Sequence, residues 1–315
     1  MRRDALVTEN LVKRYGRGFA LNGFSLSVPT FSTMGLVGRN GAGKTTWMML
    51  VAGFVLPTSG SIDILKRGAF NAASHGGRLS ILPQDSELPL EARVHELLVR
   101  YARLQGLSPE SAEASADELV DAFNLRDHSS KCIRALSHGM RKRVMVAQAF
   151  IGEPEIVLLD EPLSGLDPVE ASRMRDFIRA RRGRQTMVIS SHNLADIEKL
   201  CTHVAFIGNG RLERVDTLSA LTSVSGRIVY ALRRRPDDFA AIEQLWENLA
   251  LAWNGETGEL TAVFDDKTPP EDVNARLLPA LLRFGVVSVA CGRSLEETYL
   301  SVHSDIRGHA VFQPQ

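Results

Sequence analysis

Cysteine is scarce, with three in 315 residues. Cys132, Cys201 and Cys291 stand far apart and form no CxxC pair. That excludes a disulfide framework and a zinc site, and leaves reduced, buried thiols as the expectation. Net charge is absent, because 37 Lys+Arg offset 37 Asp+Glu. Such a chain is not built to hold DNA, RNA or anionic lipid by bulk attraction, although a local basic patch stays open. No window reaches the roughly 18 to 20 uninterrupted apolar residues of a bilayer span. The nearest, Leu277 to Cys291, is broken by Pro279 and Arg283. No apolar stretch of signal-peptide length follows Met1, so a soluble chain is expected. Repeats, low-complexity runs and long linkers are missing too.

What is present is a globular composition, 44% apolar, in a chain long enough for a large domain with an appendage. Ala5–Val7, Phe24–Val28 and Phe31–Val37 read as strands, and Lys44–Gly53 reads as helix. Glu91–Gln105, Ser111–Phe123 and Arg141–Ile151 are helical in pattern. Ile156–Leu159, Thr186–Ser190 and His203–Ile207 are short apolar runs of the kind buried on both faces, with a charged amphipathic helix over Pro168–Arg182. Strands alternating with helices predict a parallel α/β sheet.

The character shifts after about residue 222, and Ser223–Gly226 reads as the boundary. Beyond it the pattern is strand (Arg227–Leu232), helix (Asp237–Leu249), strand (Leu251–Asn254), strand (Leu260–Asp265), helix (Glu271–Phe284) and strand (Val286–Ala290). That order is the split βαβ arrangement. A helix over Ser294–Val302 closes the pattern.

Gly38-Arg39-Asn40-Gly41-Ala42-Gly43-Lys44-Thr45 fits G-x-x-x-x-G-K-[ST] between a predicted strand and a predicted helix. Glycines let successive backbone N–H groups turn inward around a phosphate, and the helix start points its positive end at the same anion. Lys44 is placed to reach the β- and γ-phosphates, and Thr45 to offer a hydroxyl to Mg²⁺. Ile156 to Leu159 then delivers Asp160 and Glu161 at a strand's C-terminal edge, where open α/β sheets bind ligands. Asp160 would hold Mg²⁺ and Glu161 would polarise an attacking water. The alternative for this acid pair is a cap on the next helix. Arg141-Lys142-Arg143 reads as a solvated helix face or one near phosphate, and Arg233-Arg234-Arg235 as a solvated strand end.

Leu136-Ser137-His138-Gly139-Met140 precedes the basic helix, Ser164-Gly165-Leu166-Asp167-Pro168 follows Glu161, and Ser190-Ser191-His192 ends the next strand. Gln84 lies in Leu82-Pro83-Gln84-Asp85, and Tyr15 lies upstream of the phosphate loop. In this order and spacing the chain, over about residues 4 to 220, resembles the ATP-binding subunit of an ABC transporter. The resemblance implies an ATP-hydrolysing P-loop NTPase cassette over residues 1–222. Its parts would be a mostly parallel sheet, an antiparallel β subdomain and a helical subdomain at about 88–150. Residues 223–315 would form a small ferredoxin-like accessory or regulatory domain.

The resemblance also assigns roles. Gly38 to Thr46 matches the Walker A loop. Asp160 and Glu161 match Walker B and its catalytic glutamate, and His192 matches the switch histidine that contacts the γ-phosphate. Gln84 matches the Q-loop glutamine, implied to touch Mg²⁺ and sense the membrane partner. Ser137 and Gly139 match the signature loop, Asp167 the D-loop, and Tyr15 the aromatic that stacks on adenine. His138 and Met140 depart from the commonest signature, Leu-Ser-Gly-Gly-Gln, but the Ser137 hydroxyl and Gly139 backbone remain at a helix start.

The implied ligands are ATP and Mg²⁺. The implied partners are a second ATP-binding subunit, in a head-to-tail dimer, and a transmembrane permease on a separate chain. The chain would then sit at the cytoplasmic face of the membrane, with no nucleic-acid role. Ser294-Leu295-Glu296-Glu297-Thr298-Tyr299-Leu300 resembles the close of the antibiotic-resistance exporter type. An importer subunit, a non-transport ATPase of the family and an inactive regulatory cassette are the alternatives.

Overall fold

The computed structural model describes residues 4–222, 226–265, 268–292 and 294–300. The chain divides into two compact units, Met1–Asp216 and Thr217–Gln315. Most of the predicted boundary turn, residues 223–225, lies outside the described residues.

The first unit opens with β1 (Asp4–Tyr15), β2 (Gly18–Pro29) and β3 (Thr33–Val37), followed by α1 (Lys44–Val51), β4 (Ser59–Ile64), α2 (Ala72–His75) and β5 (Leu79–Leu82). Then come three helices, α3 (Val94–Leu104), α4 (Pro109–Ala122) and α5 (His138–Gln148). The remainder is β6 (Ile156–Asp160), α6 (Pro168–Ala180), β7 (Thr186–Ser190), α7 (Leu194–Leu200), β8 (His203–Gly208) and β9 (Arg211–Thr217). Among the described residues, β2-β1-β4 form an antiparallel sheet and β5-β6-β7-β3-β8-β9 form the central one. From β5 to β8 every neighbouring pair is parallel.

Every residue of β3, β6 and β7 is buried, which explains their unbroken apolar runs. Gly35 in β3 lets α7 pack close, since a Cβ there would sit 2.7 Å from Ile197 Cγ2. On α1, Trp47 is fully buried, and its indole N–H donates to Thr8 Oγ1 on β1 at 3.2 Å. Phe24 of β2 meets the same ring at 6.3 Å between centroids. The helix behind the phosphate loop is thereby seated on the antiparallel sheet as well as the central one. The sequence pattern had not separated β4, α2, α7 or β9 as elements. They are short or partly exposed, so their apolar periodicity is weak.

Of the two alternatives for the basic run, the solvated face fails. Lys142 and Arg143 are each 7% exposed, not solvated. Helix α5 is enclosed on most sides; Arg143 bonds the Phe123 carbonyl and lies against Glu170, while Lys142 is within the electrostatic reach of Glu161, Asp160 and Asp85. The cysteines are all free, with Cys201 buried, Cys132 half-buried and Cys291 exposed. The expectation of buried thiols therefore fails at Cys291, which ends an edge strand.

The second unit holds α8 (Leu218–Thr222), β10 (Arg227–Leu232), α9 (Phe239–Glu243), β11 (Ala250–Asn254), β12 (Glu259–Val263), α10 (Pro270–Leu281) and β13 (Val286–Cys291). Strand order is β11-β12-β10-β13, with each neighbouring pair antiparallel. This is the split βαβ topology expected from the element order. Ile228, Tyr230, Leu232, Leu260 and Ala262 face Val273, Leu277 and Leu281 of α10 in one core. The predicted helix Asp237–Leu249 is far shorter. Asn248 takes a left-handed φ of 57°, and Glu243 Oε1 accepts from Leu251 N at 2.9 Å, which turns the chain into β11. Residues 295–300 of the predicted closing helix are helical, and 301–302 lie outside the described residues. Glu297 there pairs with Arg227 of β10 at 2.8 and 2.9 Å, and Thr298 Oγ1 donates to Leu221 O at 2.9 Å.

Candidate nucleotide site

At the C-terminal ends of β3, β6 and β7 lies a cavity of about 420 Å³, lined by residues 40–46 with Gln84, Glu161, Ser164 and His192. Backbone sterics make its floor. A Cβ on Gly38 would stand 2.3 Å from Ile207 O, and Gly43 has a φ of 112° with Ala20 O 2.7 Å from the Cβ position. Larger residues at either place would force the loop off its strand. Lys44 is 7% exposed and donates to Gly38 O at 2.7 Å and Arg39 O at 3.3 Å. Burial holds its ammonium below the ordinary lysine value, against the opposing pull of Glu161 and Asp160. A buried cation ringed by loop carbonyls is a ready counter-charge for phosphate.

The two carboxylates at the end of β6 are held differently. Asp160 is 1% exposed, and its Oδ2 accepts from Thr45 Oγ1 at 2.6 Å. Its Oδ1 accepts from Ser190 Oγ at the end of β7. That same Ser190 oxygen accepts from the Glu161 amide at 3.0 Å. Glu161 itself takes a left-handed φ of 50°, a strain of roughly 1–3 kcal/mol that places its carboxylate toward the cavity. Glu161 Oε2 lies 2.9 Å from His192 Nδ1. With the carboxylate ionised, Nδ1–H is the donor.

Two families of expected residues sit apart from this cavity. Tyr15, at the end of β1, is 55% exposed and lies under the Lys13 ammonium at 5.0 Å, but is not among the lining residues. Ser137 caps α5 by accepting from Met140 N at 3.2 Å, and Asp167 caps α6 by accepting from Val169 N and Glu170 N at 3.0 Å. They and Gly139 do not line this chain's own cavity. Their two turns are adjacent, since a Cβ on Gly165 would lie 3.0 Å from His138 Nε2.

The sequence profile of the ABC transporter family matches residues 21–164. The chain is 33% identical over 204 residues to the Nod factor export ATP-binding protein I of Burkholderia orbicola (strain AU 1054), covering 64% of this chain and 67% of that protein. It is 32% identical over 245 residues to the daunorubicin resistance ATP-binding protein DrrA3 of Streptomyces coeruleorubidus, covering 76% of this chain and 78% of that one. The chain belongs to the ABC transporter ATP-binding family. A solved ATP-binding subunit of an ABC transporter superposes with a TM-score of 0.62 at 27% identity, covering 69% of this chain and 91% of that one. The protein is thus an ATP-binding subunit of an ABC transporter, and an ATPase.

Local pattern does not mark two residues of this site, Ser190 and Ser164, or one charge near it, Lys142. In sequence Ser190 is marked only by standing two residues before His192, yet it bonds both carboxylate residues. Ser164 lines the cavity although only Asp167 of its turn was singled out. Lys142 is buried on α5, where desolvation lowers its affinity for a proton while Glu161, Asp160 and Asp85 oppose that shift. A basic run at a helix start was the available signal, and its burial was not visible in the pattern.

Proposed function

We propose that this subunit powers export through a membrane-spanning partner on a separate chain, working as one of two paired ATP-binding subunits. The observation that carries the hydrolytic half is the Glu161–His192 contact of 2.9 Å at the mouth of the phosphate loop. ATP phosphates seat on the backbone of residues 38–46, with Lys44 as counter-charge. Glu161 orients a water in line with the γ-phosphate, and His192 steadies that phosphate. Tyr15 stacks on adenine. Ser137, Gly139 and Asp167, which do not line this cavity, serve the nucleotide of the paired subunit.

The donor set fits Mg²⁺. Thr45 Oγ1 and Asp160 Oδ2 are hard oxygens already within 2.6 Å of each other. Among the described residues no cluster of three or more His, Cys, Asp or Glu offers a complete cage. A cation there would be held by the Thr45 and Asp160 oxygens together with phosphates and water, with Gln84 at the cavity wall as a further oxygen. When bound, the ion supplies neutralisation of charge building on the phosphates.

Export is supported by the names of the relatives above and by the segment Ser294–Leu300. The membrane partner is supported by the family. The alternation of paired and separated subunits would present the partner with two states. The test uses inverted membrane vesicles holding the chain and the membrane protein that purifies with it. ATP-driven accumulation of substrate inside supports export. ATP-driven loss from the lumen supports import and overturns the direction proposed.

A further inference from the structure

Three helices converge on one buried arginine. Arg143 on α5 donates through Nη1 to the carbonyls of Phe123 and Asn124, at 2.9 and 3.0 Å, where α4 ends. Its Nε lies 3.3 Å from Glu170 Oε2, in the first turn of α6. This is a charge contact whose angle misses hydrogen bonding, so both atoms are buried without one. Glu170 Oε1 accepts from Arg173 at 3.2 Å, and the Glu170 amide donates to Asp167 Oδ1 at 3.0 Å. A continuous line therefore runs from the helix capped by Ser137, through Arg143 and Glu170, to the cap residue Asp167. At its outer end the two turns lie side by side: a Cβ on Gly165 would be 3.0 Å from His138 Nε2, and one on Gly139 3.9 Å from Leu166 Cδ2.

Desolvation makes a buried ion pair a poor source of stability, and apolar residues of similar volume would often pack as well. What such a pair supplies in some proteins is a fixed register between the elements that carry its two charges. Here those elements are the helices whose starts present Ser137 and Asp167. Neither Arg143 nor Glu170 lines this chain's own nucleotide cavity.

We propose that the Arg143–Glu170 pair is a pin that holds the Ser137–Gly139 turn and the Gly165–Asp167 turn as one preset surface for the paired subunit's nucleotide. The proposal rests on the paired-subunit reading above. Both are positioning residues, acting through Ser137 and Asp167. Presetting matters because loops ordered before association do not have to be ordered during it.

The test uses the full chain carrying Glu161→Gln, so that bound ATP persists. Arg143→Met and Glu170→Gln are each added, then combined. Each single change is expected to raise the ATP concentration for half-maximal dimer about tenfold, equivalent to about 1.4 kcal/mol. The affinity of the monomer for a fluorescent ATP analogue should stay within about twofold, a factor small against that tenfold change. The double variant should be no worse than the worse single one, because the two residues act as one unit. Amide hydrogen exchange at 137–143 and 165–170 should rise together in either variant.

Unchanged dimerisation, losses that multiply in the double variant, or monomer affinity falling by the same factor would each overturn the pin. If Arg143→Met does not fold, Glu170→Gln, which keeps volume and hydrogen-bonding capacity, decides. If the Glu161→Gln parent never dimerises with ATP, the paired-subunit reading fails. Hydrogen exchange then decides the pin: loosening of both turns together keeps it, and loosening of one alone overturns it.

Discussion

Thr45 Oγ1 and Asp160 Oδ2 stand 2.6 Å apart across 115 residues of sequence. The contact joins the phosphate loop to the end of β6. Asp160 is held from the other side by Ser190, so the protein's own hydrogen bonds fix the oxygens suited to a hard cation.

Replacing Asp160 by Asn or Thr45 by Val should therefore lower ATP turnover by at least about 100-fold, the scale for losing a preorganised electrostatic group. Steady-state phosphate release across a Mg²⁺ titration measures it. Turnover restored at high Mg²⁺ in Thr45→Val fits lost cation affinity, and a fall that no Mg²⁺ concentration restores in either variant points to misplacement of Glu161 instead.

Glu161→Gln should abolish turnover while ATP still binds, because the amide cannot accept a proton from water. His192→Ala should also cut turnover, and it frees Glu161 Oε2 from its 2.9 Å partner. Single-turnover hydrolysis beside equilibrium ATP binding separates the two steps. Hydrolysis at the wild-type rate in Glu161→Gln would remove Glu161 from its role.

Lys44 links affinity to pH. Its pKa in the folded chain lies below 10.5, chiefly through burial. Bound phosphates favour the charged form and raise it again. ATP affinity should be full below the free-state value and fall as pH rises through it, with proton uptake on binding in that alkaline window. Without nucleotide the sign for stability is opposite. The buried cation is a cost at lower pH, so the Lys44 contribution improves as pH rises between the folded value and 10.5. Titration calorimetry in two buffers of different ionisation enthalpy checks the uptake. Equal heats in the two buffers would contradict it.

Lys142→Met should raise thermal stability by about 1 kcal/mol, since it removes a buried ammonium whose proton affinity desolvation already lowers. Turnover should fall at the same time, because the positive charge near Asp160 and Glu161 is lost. Melting and ATPase assays on one preparation read both. Lower stability with unchanged turnover would mean that Lys142 is a packing residue.

Thiol reactivity should divide the cysteines. Burial pushes the Cys201 thiol up to about 12, so it should resist an aromatic disulfide reagent near pH 8 until denaturant is added. Exposed Cys291 should react in the folded chain. Mass spectrometry of the labelled peptides tells them apart.

Much of this architecture could be read from local pattern. The all-apolar runs of β3, β6 and β7 announce strands buried on both faces. Gly38, Gly41 and Gly43 announce a backbone that approaches an anion, and the order of the motifs reaches the family. These signals survive in sequence because each depends on neighbouring residues and on steric rules that hold anywhere. The split βαβ unit was legible from element order for the same reason, although Asn248 and Glu243 stopped its first helix early through contacts that propensity does not contain.

Other features depended on residues far apart in the chain. That Lys142 and Arg143 are enclosed follows from what α5 packs against, not from their own type. Ser190 became part of the site only when β7 paired with β6 and brought its hydroxyl to Asp160 and the Glu161 amide. The union of Arg143 with Glu170 required α5 and α6 to meet. Composition and motif order thus settled which chemistry the chain carries, since those are local properties of side chains and turns. Folding settled which charges lose their water and which hydroxyls find a partner, because burial and hydrogen-bond geometry exist only once distant segments are packed together.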